Sequence, residues 1–137
     1  MEKTYRELKT RLMEIKDLQS ASAVLGWDQM TYMPPGGAEA RGRQMATLQR
    51  LAHEKMTDAT VGKLLDALRP YEEGLPYESD EASLIRVARR VFERATRVPS
   101  AFVAELNNHL AQSLQAWTVA RPANDFAAVR PHLERTL

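Results

Sequence analysis

The sequence predicts an all-α fold of five or six helices of unequal length. Three observations carry this. Apolar residues recur at steps of three and four through most of the chain, the spacing that lines one face of a helix. No stretch sustains the alternation of apolar and polar residues that marks a half-buried strand. Proline, glycine and Ser, Thr or Asp caps interrupt the periodic runs where helices would start and stop.

The first helix is long. Tyr5, Leu8, Leu12, Ile15 and Leu18 share one face, and the pattern continues through Ala23, Val24 and Leu25 towards Trp27. Pro34 and Pro35 end it, because proline lacks an N–H and disfavours helix in the residue before it. A joint therefore spans 26–37. Gly36-Gly37 opens a second helix, from about Ala38 to Lys55, with Met45, Leu48, Leu51 and Ala52 inward. Thr57-Asp58 caps a short third helix through Val61, Leu64, Leu65 and Leu68. Pro70 stops it, and a turn-rich connector follows over 70–78.

Ser79 caps the fourth helix, whose first turn holds Asp80 and Glu81 and whose last holds Arg94 and Arg97, signs that suit the helix dipole. Its core face is Leu84, Ile85, Ala88, Val91, Phe92 and Ala95. Pro99 starts a fifth helix with a buried stripe of Phe102, Leu106, Leu110, Leu114 and Trp117. Arg121-Pro122-Ala123-Asn124 breaks it, and Asp125 caps a last turn or helix containing Phe126, Val129 and Leu133. No internal repeat is evident. The final residues, Glu134-Arg135-Thr136-Leu137, carry no stop signal and read as a cut helix.

The 137 residues form a single helical region, with 44% hydrophobic residues and therefore enough to fold. A net charge of +1 gives no electrostatic case for nucleic acid or anionic lipid as a partner. There is no cysteine, hence no disulfide and no thiolate metal site. No apolar run approaches the roughly 20 residues of a membrane span, and no signal core opens the chain, so a cytoplasmic protein is expected.

Candidate chemistry is sparse. The histidines are His53, His109 and His132. His53-Glu54-Lys55-Met56-Thr57 begins like a His-Glu-x-x-His zinc helix, but Thr57 stands where the second imidazole would be. His53 reads instead as a helix-end residue, and His109 as a hydrogen-bonded packing residue beside its helix's stripe. Arg86, Arg90, Arg94 and Arg97 read as a solvated face. Glu72, Glu73, Glu78, Asp80 and Glu81 read as solubility and capping residues. No catalytic or metal-ligating residue is assigned. Trp27, Asp28, Gln29 and Tyr32 remain, concentrated in the joint. Either Trp27 is a core anchor, Asp28 a cap or ion-pair partner and Tyr32 a residue packed under the Pro-Pro turn, or the four line a cleft.

The joint carries a resemblance. Leu25-Gly26-Trp27-Asp28-Gln29, Thr31-Tyr32-Met33-Pro34-Pro35-Gly36-Gly37, Ala38-Glu39-Ala40-Arg41, Leu48 and Leu51-Ala52-His53-Glu54 resemble the N-terminal signature of thermostable zinc metallocarboxypeptidases of the carboxypeptidase Taq type. Arg97-Val98-Pro99, Phe102, Trp117 and Asn124-Asp125-Phe126 follow in that family's order. The resemblance implies an all-α, cleft-containing homodimer, several times longer, that removes residues from peptide C-termini. It implies zinc held by a His-Glu-x-x-His helix and a downstream Glu, none of which maps onto this chain. It also implies that the N-terminal helices form a wall or lid of the groove, which would bring Trp27, Asp28 and Tyr32 to the cleft. The chain alone is then inactive, binds no zinc itself, and has the C-terminal catalytic part, peptide substrates and a second copy as partners. A non-catalytic helical scaffold or interaction module of the same ancestry is the alternative.

Overall fold

Thirty residues at the start of the chain form one helix, α1 (Glu2–Thr31), in the computed structural model. The structure describes the backbone of residues 1–137 and all side chains but those of Ser100, Ala104 and Asn107. A 3-10 turn (Pro35–Gly37) leads into α2 (Ala38–Met56), followed by α3 (Ala59–Ala67) and α4 (Arg69–Glu73). Then come α5 (Asp80–Thr96), α6 (Ser100–Ala123) and α7 (Phe126–Thr136), with no strand among the described residues. The fold is all-α. Six of these helices follow the sequence pattern, and α4 is the addition.

Contacts divide the chain into two compact units, 1–100 and 101–137. In the first, α1 lends Leu8 to a core of Val61, Leu64, Leu65 and Leu68 around α3 and Ile85 and Ala88 of α5. A second cluster joins Ile15 of α1 to Ala52 and Met56 of α2, with Phe92 and Ala95 of α5 packed on it. Burying each large aliphatic side chain contributes roughly 1.5–3 kcal/mol. Lys55 bonds Glu14 at 2.9 Å and ties the outer edge of α2 to α1. That contact holds the Glu14 carboxyl below its usual range.

Four local expectations change. The break expected over 26–37 is narrower, because α1 continues through Thr31. Pro34 itself stays outside the helix, and its steric restriction on the chain before it falls on Met33, so the turns up to Thr31 can remain helical. Tyr32 and Met33 N–H groups both donate to Asp28 O at 2.9 Å and close the helix. Pro70 does not simply stop α3. It occupies the first turn of α4, where a missing N–H costs nothing, so part of the 70–78 connector is helical. Val91 faces solvent rather than the core, while Ala82 is buried one turn before Ile85.

The fourth change lies in the second unit, an antiparallel hairpin of α6 and α7. Phe102, Leu110, Leu114 and Trp117 are exposed, whereas His109 and Ala120 are buried. The eleven-residue α7 meets the face of α6 that carries His109 and Ser113. Leu110, Leu114 and Trp117 sit about a quarter turn away. The helix also runs past Pro122 to Ala123. It ends in a Schellman motif: Asn124 adopts φ 53°, Asn124 N–H donates to Arg121 O and Asp125 N–H to Ala120 O. Asp125 then caps α7 by accepting from Ala128 N–H.

Candidate functional site

The joint builds a tied corner between α1 and α2. Thr31 Oγ1 donates to Trp27 O at 2.8 Å, adding a side-chain bond to the main-chain bonds that Asp28 O accepts. Gly37 lies against Met33: a Cβ at Gly37 would stand 3.2 Å from Met33 Cγ, so the small residue lets the thioether tuck under the turn. Gly37 N–H donates to Pro34 O at 2.8 Å. Across the corner, Arg41 Nη1 donates to Leu25 O at 2.6 Å and Arg41 Nη2 to Asp28 Oδ2 at 2.7 Å. The Arg41 side chain is only 15% exposed and that of Asp28 35%.

Trp27 and Tyr32 are 61% and 77% exposed, so Trp27 is no core anchor and Tyr32 is not packed beneath the Pro-Pro turn. Their rings meet edge-on instead, centroids 5.9 Å apart at 63°. Met30 and Val24 are exposed nearby on α1. Asp28 is the ion-pair partner that residue type allows. Gln29 is half-buried and, among the described residues, bonds neither the aromatic pair nor Arg41. The four candidates thus separate into an exposed aromatic pair, an ion-paired carboxylate and a bystander. Arg41 stood outside the candidate set, although its place in the first turn of α2, at the wrong pole for a cation, was a readable signal.

A second polar cluster joins α3, α4 and α5. Arg89 donates to Leu65 O at 2.7 Å and to Glu72 Oε2 at 3.2 Å, with Asp66 3.5 Å away. Glu72 is therefore a half-buried structural partner rather than only a solubilising charge. Arg86 stacks over Tyr77, its guanidinium carbon 4.0 Å from the ring centroid, and donates to Tyr77 O and Ser83 Oγ. These cations face an open cleft of about 470 Å³. Tyr71 donates to Glu81 at 3.3 Å, and its ring lies 6.2 Å from that of Tyr5. Burial, and then the Glu81 charge, raises the pKa of both phenols.

The imidazoles of His109 and His132 are engaged as packing groups. His109 Nε2 lies 3.0 Å from both His132 O and Thr136 Oγ1, and the two rings stack at 6.0 Å. Near His53, Thr57 Oγ1 donates back to His53 O at 2.9 Å, where a zinc helix would present its second imidazole. Among the described residues no three His, Cys, Asp or Glu side chains converge as metal ligands.

Comparison with known proteins places the whole arrangement. Residues 7–137 match the family model described as carboxypeptidase Taq (M32) metallopeptidase. Thermostable carboxypeptidase 1 of Thermus thermophilus is 36% identical over 98% of this chain and 26% of its own length. The crystal structure of M32 carboxypeptidase from Deinococcus radiodurans R1 is 44% identical, with a TM-score of 0.77 over 98% of this chain and 26% of that one. Metallocarboxypeptidase 1 of Trypanosoma cruzi is 27% identical, with a TM-score of 0.79 over the same shares. The chain spans about a quarter of the length of these relatives. A match over nearly every residue, in sequence and in fold, identifies it: the chain belongs to the carboxypeptidase Taq (M32) metallopeptidase family.

Proposed function

We propose that this chain is the N-terminal helical part of a zinc-dependent metallocarboxypeptidase that releases C-terminal amino acids from peptides, and that it forms a wall or lid of the substrate groove. The observation that carries the reading is the coverage: almost all of this chain aligns with about a quarter of each relative. A zinc ion in the parent would supply the activation of the attacking water, and the residues that would hold it would lie in the remaining polypeptide. The residues of this chain contribute shape. The corner presents Trp27 and Tyr32 outward, and an exposed aromatic pair beside a fixed ion pair suits contact with an extended peptide. By itself the chain is catalytically inactive. The parent is a cytoplasmic homodimer in this reading.

No helix of the described residues is long and apolar enough to cross a membrane. The gene past Leu137 tests the reading. An open frame that continues into a His-Glu-x-x-His segment is expected. A stop codon directly after Leu137 would overturn it in favour of a non-catalytic scaffold of the same ancestry.

A further inference from the structure

The charges of the α1–α2 corner each sit at the pole where, alone, they are unfavourable. Asp28 lies near the C-terminal end of α1, where free carbonyls make a helix negative, and the last turn of α1 holds no basic residue. Arg41 lies in the first turn of α2, the positive end of that helix. Neither supports its own helix, and each answers the other across the corner at 2.7 Å.

The contact is also two-pronged. One guanidinium nitrogen takes Leu25 O and the other Asp28 Oδ2, acceptors three residues apart on α1. A planar fork bonded at two points fixes rotation as well as distance, which a lysine's single ammonium does not. Trp27 sits between those two acceptors in the chain. Tyr32 follows directly on the helix end that Asp28 O closes.

We infer that Arg41 is a positioning residue: a clasp that holds the corner so that Trp27 and Tyr32 stand as a fixed aromatic edge for the peptide substrate. The clasp itself follows from this chain's geometry. Its effect on substrate rests on the groove-wall reading proposed above, and two measurements separate the parts.

The first uses the 137-residue chain with Trp117→Phe, which leaves Trp27 as its one tryptophan. Time-resolved fluorescence anisotropy then reads motion at the corner. In Arg41→Ala the fast local component at Trp27 grows while far-UV circular dichroism keeps its helical amplitude. Arg41→Lys does not restore the wild-type decay, and the isosteric Asp28→Asn loosens Trp27 in the same way. An unchanged Trp27 decay in both Arg41→Ala and Asp28→Asn overturns the clasp.

The second uses the full-length carboxypeptidase that contains this region. Arg41→Ala raises KM for a peptide about tenfold, the scale of one lost charge-assisted contact, with kcat little changed, and Arg41→Lys fails to rescue KM. A loosened Trp27 with unchanged KM leaves the clasp standing and refutes the substrate role. A fall in kcat at constant KM refutes that role as well.

Discussion

Leu8, Val61, Leu65, Leu68 and Ile85 are almost wholly removed from solvent, so single side chains at the centre of the first unit carry much of its stability. Leu8→Ala is expected to cost about 2–5 kcal/mol, a large share of the roughly 5–15 kcal/mol that holds a typical domain. Urea unfolding measures it, and a loss below 1 kcal/mol contradicts the assigned core. Arg89 offers a polar counterpart. Its removal leaves Leu65 O and Glu72 without their partner, so Arg89→Ala should lose about 1–3 kcal/mol. Exposed Arg90 should tolerate the same change. The apolar residues were legible because helical spacing names them directly. The partners of Arg41 and Arg89 were not, because they lie 13 to 24 residues away and only folding brings them together.

The helices themselves were legible where local chemistry decides. Asp58 and Ser79 cap α3 and α5 as their types suggest, accepting from Thr60 N–H and Ala82 N–H. Ser79→Ala is expected to cost about 1 kcal/mol. The Asp58 cap also carries a pH signature. Hydrogen bonds from Thr60 hold its carboxyl below the ordinary value of 3.8. A depressed folded pKa stabilises the fold above the unfolded value, and that increment is lost as pH falls through the folded pKa. Thermal melting on acidification below about pH 4 should therefore fall less steeply for Asp58→Asn than for wild type. Equal slopes refute the assignment. Gly62 inverts a common rule. Alanine normally favours a helix over glycine, but a Cβ here would stand 2.8 Å from Phe92 Cζ. Gly62→Ala should be a net loss of roughly 1 kcal/mol. What sequence could not give was the partner of each face: α6 has an apolar stripe of the right period, and only the hairpin decides that α7 covers its neighbour.

At the scale of the whole molecule, apolar surface stands open in each unit: Trp27, Met30 and Tyr32 in the first, Phe102, Leu110, Leu114, Trp117 and Phe126 in the second. Surfaces of this kind drive association. Sedimentation velocity should show concentration-dependent self-association of the chain, reduced by Leu110→Glu with Leu114→Glu. A monomer at every concentration contradicts this. On the proposed function, the chain shapes the groove of a carboxypeptidase whose cutting centre lies in the rest of the parent protein. One assay tests it most directly: release of the C-terminal amino acid from a blocked dipeptide, with zinc supplied and with a chelator, by the 137-residue chain and by the full-length protein. No release by the chain under any condition, and chelator-sensitive release by the full-length protein, are the expected results. Chelator-sensitive release by the 137-residue chain itself would contradict it.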